Sequence, residues 1–186
     1  SASSWDIQSQ IEMRRYNFPF NKVASAMATN NKFINEVAKE KKLTFASTGM
    51  MNLKQVDQLY SIFKDEDCPV VLMHTVSTYP AREQDLNLNC IKTLAERYKV
   101  PIGYSGHEAS TAPSIFAATL GAVAIERHVT LDRAMYGSDQ AASLQEEGLR
   151  SLVTILRKLP KIMGDGEKSF LEKEIPIAKK LRYWEN

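Results

Sequence analysis

Short apolar runs alternate along this chain with stretches of helical period, and that alternation is what most narrows the folds open to it. The runs are 21–24, 43–46, 70–73, 102–104 and 122–125. Between them, Leu53, Val56, Leu59, Tyr60 and Phe63 fall on one helical face, as do Leu149, Leu152, Val153, Leu156 and Leu159. Asn30, Asn31 and Asn52 are candidate N-caps, and Gly164 and Gly166 suit the end of the last long helix. The strand starts recur every roughly 20–30 residues, the size of a βα unit. Alternating strands and helices predict a parallel sheet with helices outside.

Two architectures compete. A doubly wound open sheet usually advertises a Gly-rich phosphate turn, and no GxGxxG occurs. A (β/α)8 barrel needs about 250 residues. At 186 residues the chain supplies five units, with 1–6 as the end of a preceding strand. The expectation is therefore α/β, a TIM (β/α)8 barrel present as a partial barrel of about five βα units lacking the first strands. The run 115–125 is too short for a membrane span, and Gly121 divides it into helix, turn and strand. Residues 1–166 would form the barrel part. The charged stretch 167–186 reads as a helix end and an extended exit segment.

Composition removes several function classes. Lys and Arg number 24 against 22 Asp and Glu, so no footprint for nucleic acid or membrane is expected. Cys68 and Cys90 form no CxxC pair, which suits free thiols in a reducing cytoplasm.

In βα architectures the chemistry sits at the C-terminal ends of the strands. Each run here ends in polar residues. Lys22 and Ser25 accompany the first, and Ser47-Thr48-Gly49-Met50 follows the second. His74 through Pro80 follows the third, Ser105-Gly106-His107-Glu108 the fourth, and Glu126-Arg127-His128 then Gly137-Ser138-Asp139 the fifth. His107 and His128 lie one βα unit apart, so neighbouring strand tips could bring both imidazoles to one Mn, Fe, Co or Zn ion. They also suit two loop histidines bonded to backbone. His74 competes as a ligand, or is a buried neighbour. Lys22, Ser25, Ser47 and Ser105 could converge on a phosphate or carboxylate; the alternative is helix-capping serines and a surface lysine. Asp139 is a turn former or an acceptor for a substrate hydroxyl.

Together these segments resemble the sialic acid synthase family over nearly the whole chain. The matching stretches are Lys22-Val23-Ala24-Ser25, Ala46-Ser47-Thr48-Gly49-Met50, His74-Thr75-Val76-Ser77-Thr78-Tyr79-Pro80, Gly103-Tyr104-Ser105-Gly106-His107-Glu108, Ile125-Glu126-Arg127-His128-Val129-Thr130-Leu131-Asp132 and Gly137-Ser138-Asp139-Gln140-Ala141-Ala142-Ser143. The resemblance implies a TIM barrel with a divalent metal on His107 and His128, Mn²⁺ first, with Mg²⁺ or Co²⁺ as alternatives. It implies phosphoenolpyruvate on Lys22, Ser25, Ser47 and Ser105, and an N-acetylated amino sugar near Ser77, Tyr79 and Asp139, with Asp139 and Tyr79 as the catalytic pair. The implied reaction is an aldol-type condensation to a nonulosonic acid and phosphate, in a cytoplasmic protein that is a homodimer at full length. Glu126 and Arg127 would pair with each other behind the site, or as a surface ion pair.

Three departures bear on the acceptor sugar. The family's opening strands, which carry another lysine, are not in this sequence. Residues 167–186 would be the linker toward a C-terminal antifreeze-like domain, also not in it. Ala26-Met27 stands where many members have glycine and an acidic residue, and Ser77 replaces an amide of some relatives. The other readings are a non-catalytic binding module of the same barrel and another phosphoenolpyruvate-sugar synthase, such as an octulosonate-phosphate synthase, for which Arg133 is the nearby cation.

Overall fold

The computed structural model describes residues 1–185. Five parallel strands form one sheet in sequence order: β1 (Asn21–Val23), β2 (Thr44–Ser47), β3 (Val70–Thr75), β4 (Ile102–Gly106) and β5 (Ile125–Arg127). The helices are α1 (Ile7–Met13), α2 (Asn31–Ala38), α3 (Leu53–Asp65), α4 (Cys90–Tyr98), α5 (Ala112–Thr119), α6 (Glu146–Met163) and α7 (Ile175–Leu181). The sheet curls, giving the expected part of an α/β barrel.

Side-chain alternation sorts the strands into two faces. Val23, Ala46, Leu72 and Tyr104 are buried outward, against Phe33, Ile34, Val37, Leu59, Phe63, Ile91 and Leu94 of the helices. Burying each large apolar side chain contributes about 1.5–3 kcal/mol. The other face carries Lys22, Phe45, Ser47, Met73, Ser105 and Glu126, which line the hollow of the curl. Parallel register fixes their neighbours: Ser47 lies beside Met73, Thr75 beside Ser105, and Ser105 beside Glu126.

Local signals hold the helices in place. Asn30 Oδ1 accepts from Phe33 N at the start of α2. Asn52 and Gln55 exchange bonds in a capping box that opens α3. Gly164, at φ +63°, follows α6. The Leu149–Leu156 face of α6 is real, but it turns toward the open hollow, and only Leu152 of α6 is fully buried.

Several bounds moved. β3 and β4 run two residues beyond the apolar runs, because the ladder continues into the polar tips. The fifth ladder begins where Val123 N donates to Ile102 O, but the strand proper is 125–127. Residues 1–6 form no strand; Asp6 caps α1, its Oδ1 accepting from Ser9 N. The stretch expected to exit extended contains the short helix α7, started by Pro176. Asn186 of that stretch lies outside the described residues.

Candidate active site

The hollow is a cavity of about 1170 Å³ at the C-terminal ends of the strands. Lys22, Ser25, Ser47, Ser77, Tyr79, Ser105, His107, His128 and Asp139 all line it. The residues that the resemblance assigned to metal and substrates thus line one cavity.

They divide into two groups. The first is a donor cradle. Lys22 reaches up one layer from β1, and its Nζ donates to Ser47 Oγ at 2.8 Å and to the Val23 carbonyl at 3.0 Å. Ser105 Oγ donates to Glu126 Oε1 at 3.0 Å, and Glu126 Oε2 lies 3.5 Å from Lys22 Nζ. Burial pulls the Lys22 ammonium below its ordinary value, and the Glu126 carboxylate opposes that pull. Beside this, Ser25 Oγ accepts from Gly49 N at 3.1 Å. A Cβ on residue 49 would meet Ser77 Oγ at 2.2 Å and Ser25 Oγ at 2.7 Å, so glycine lets the two hydroxyls approach the backbone. Ser77 Oγ is buried without a partner, a donor left over for a ligand. The geometry puts Ser77 next to Ser25 as well as close to the histidine end.

The second group is the pair of imidazoles. The ring centroids of His107 and His128 are 5.0 Å apart, edge to face. His107 Nδ1 bonds to the Val76 carbonyl at 2.7 Å, which places the proton on Nδ1 and frees Nε2. His128 Nδ1 lies 2.9 Å from Asp139 Oδ2, which likewise frees its Nε2. Burial holds His107 below the ordinary histidine value, so its imidazole stays neutral, the form a metal requires. A carbonyl and a carboxylate behind two imidazoles is the outer arrangement of metal-bound histidines, so these residues fit a divalent ion. Among the described residues no group of three or more His, Cys, Asp or Glu is placed to hold a metal.

The Tyr79 ring lies 4.1 Å from His107 and 5.6 Å from His128, roofing the pair. Burial, then the charges of Asp139 and Glu126, raise its phenol, which stays protonated. The Ser138 hydroxyl at 2.6 Å, followed by His128, holds Asp139 below the usual carboxylate range.

His74 is not a ligand in this arrangement. It points outward, bonds through Nε2 to the Leu86 carbonyl at 2.7 Å, and packs on Tyr104. Glu126 and Arg127 do not pair, because successive strand residues face opposite ways. Arg127 instead meets Glu108, Nη1 to Oε1 at 3.1 Å, with 2% and 0% side-chain exposure. That contact is a charge pair out of hydrogen-bond alignment, since Glu108 Oε1 has no hydrogen-bond donor. Tyr104 OH donates to Glu108 Oε2 at 2.8 Å. Arg127 also donates to the carbonyls of Glu108 and Ser110. The sequence reading missed Glu126 as a cavity residue, Glu108 as a buried ion, and Gly49. Alternation along β5 would have placed Glu126 with His128.

A family model, the NeuB family, matches residues 1–168. The chain belongs to the NeuB family. The N-acetylneuraminate-9-phosphate synthase of Homo sapiens is 34% identical over 182 residues, covering 97% of this chain and 51% of that protein. The N,N'-diacetyllegionaminic acid synthase of Campylobacter jejuni is 32% identical over 176 residues, 93% of this chain and 53% of the relative. The chain spans about half the length of such NeuB relatives. Among solved structures, the N-acetylneuraminic acid synthetase of Leptospira borgpetersenii, in complex with citrate, superposes at TM-score 0.86 with 31% identity, over 98% of this chain and 65% of that one. A 3-deoxy-D-arabino-heptulosonate 7-phosphate synthase from Thermotoga maritima shares the fold alone, at TM-score 0.72 and 16% identity.

Proposed function

We propose that this chain is the site-bearing part of a synthase that condenses phosphoenolpyruvate with an N-acetylated amino sugar, N-acetylmannosamine or a related one. The product is a nonulosonic acid, with phosphate released. The observation that carries the reading is the meeting of an ammonium and hydroxyl cradle with two metal-competent imidazoles in one cavity. The named activities of the NeuB relatives support it.

In this reading Lys22, Ser25, Ser47 and Ser105 bind the phosphoenolpyruvate anion, and fixed donors suit its charge. Ser77 joins that set at its sugar-facing edge. When bound, a divalent metal, Mn²⁺ first, supplies Lewis-acid polarisation to a carbonyl. His107 and His128 would hold it through Nε2. The C3 carbon of phosphoenolpyruvate bonds to the sugar's aldehyde carbon, water adds at C2, and phosphate leaves with its bridging oxygen. Asp139, ionised and at the cavity edge, accepts a hydroxyl proton or bond from the sugar. Tyr79, protonated, covers the imidazoles and donates from its phenol. Arg133, the cation that the octulosonate type would use, donates to the Ala141 carbonyl in its own loop, and comparing phosphorylated with unphosphorylated sugars separates the two readings. We also assign the protein to the cytoplasm and, at full length, to a homodimer, on its likeness to the NeuB relatives.

The test is phosphate release from phosphoenolpyruvate by the purified chain with Mn²⁺ and a panel of N-acetylated amino sugars. Release that needs both metal and sugar is expected, with Lys22→Ala raising the phosphoenolpyruvate requirement more than the sugar requirement. No release from folded, metal-loaded protein would replace this reading with a binding module of the same barrel.

A further inference from the structure

The cradle that would receive an anion already holds one. An ammonium has three protons and a hydroxyl one. Lys22 Nζ donates to Ser47 Oγ at 2.8 Å and to the Val23 carbonyl at 3.0 Å, and its charge faces Glu126 Oε2 as an ion pair at 3.5 Å. The single proton of Ser105 goes to Glu126 Oε1 at 3.0 Å. The Ser105 proton and the Lys22 charge both face the Glu126 carboxylate, so an incoming anion must displace that carboxylate to take the pair.

The contacts that end on Glu126 are the ones able to yield. The Val23 carbonyl is fixed in β1. Ser47 is buried at the end of β2. The Glu126 side chain is 34% exposed, so its carboxylate can be rehydrated on release, and its contact with Lys22 is the longest of the three. Two anions cannot share these donors without strong like-charge repulsion in a recess where the Lys22 side chain is only 16% exposed.

We propose that Glu126 is the built-in counter-anion of the cradle: it occupies Lys22 and Ser105 in the free chain and must withdraw before a phosphate-bearing ligand takes them. Resting on the anion-cradle reading above, this adds a selectivity the named residues alone lack. A multiply charged phosphate ester outcompetes one tethered carboxylate, whereas a singly charged carboxylate of the acetate kind gains nothing by the exchange. Glu126 therefore filters ligands by charge before any sugar is involved.

The experiment is calorimetric titration of the metal-free chain with inorganic phosphate and, separately, acetate. The parent chain, Glu126→Gln and Lys22→Ala are compared. Expected are phosphate binding by the parent, and tightening by roughly tenfold for phosphate in Glu126→Gln, with acetate binding becoming measurable. Glu126→Asp, whose shorter side chain draws the charge back, replaces the glutamine variant should that one fail to fold, and tightens phosphate in the same direction. If Glu126 variants bind phosphate no better than the parent while Lys22→Ala loses it, the filter is wrong and the cradle stands. If Lys22→Ala binds phosphate like the parent, the cradle falls and the filter with it.

Discussion

Truncating Glu108 to alanine removes the buried anion that faces Arg127 and leaves the guanidinium in place. Arg127 is 2% exposed and keeps its bonds to the Ser110 carbonyl at 2.8 Å and Ser114 Oγ at 3.1 Å, so it has no route to water. Burial already pulls its pKa down, and Glu108 is the largest opposing influence. Tyr104 OH loses its acceptor in the same step. Removing one partner of a buried ion pair costs about 3–5 kcal/mol. For a chain of this size each kcal/mol lowers Tm by about 2–4 °C, so Glu108→Ala should melt roughly 6–20 °C below the parent. Thermal unfolding followed by circular dichroism measures it. The double variant Glu108→Ala with Arg127→Met should recover part of the loss, because the stranded charge is gone, though not all of it, because the carbonyls of Glu108, Ser110 and Ala142 lose their donor. A drop of less than about 2 °C in the single variant would refute the reasoning, since a pair that matters so little is not dry.

Three further outcomes follow from the site. His107→Ala and His128→Ala should each abolish tight Mn²⁺ binding by calorimetry, while His74→Ala weakens it less; equal, unchanged affinity in all three would remove the metal assignment. Gly49→Ala should cut phosphate affinity by about tenfold or more, because the new methyl displaces the Ser25 and Ser77 hydroxyls, with Tm changed by no more than about 3 °C. A large loss of Tm with phosphate affinity intact would mean that the glycine serves packing alone. Burial lowers the His74 pKa from 6.5, so the unfolded chain takes up a proton there before the folded one does. The stability this neutral histidine contributes is complete above pH about 6.5 and is lost as pH falls toward the depressed folded value. Tm should therefore fall more between pH 7.5 and 5.5 in the parent than in His74→Gln, and parallel slopes would contradict it.

Much of the fold was legible because its signals are local. Apolar runs of four or so residues, Asn52 before a helical face, and Gly164 after one each act within a few positions. The strand ends were harder to read, because the ladder of β3 and β4 continues through His74-Thr75 and Ser105-Gly106 after the apolar pattern has stopped. The tip rule found the right end of the sheet, and the resemblance selected residues that do converge. What remained hidden depends on which way a side chain points. His74 and Thr75 are adjacent yet face opposite sides, and so are Glu126 and Arg127. Only the register shows that Ser105 abuts Glu126, and only the curl shows that Lys22 of β1 reaches across to β5. The Glu108–Arg127 pair joins a loop to a strand, a contact that no spacing rule encodes.

Gly106 carries a consequence for how such a sequence can change over time. A Cβ there would lie 2.8 Å from both Glu108 oxygens and 2.8 Å from Tyr104 Cε1. Any other residue at 106 evicts the carboxylate; losing the carboxylate strands Arg127; losing Arg127 unties two loops. Substitutions at 104, 106, 108 and 127 are thus coupled, and a single change among them costs more than a matched pair. The two histidines adjoin this block, at 107 and 128, so a descendant could change the residues of the cavity rim far more readily than the spacing of its imidazoles.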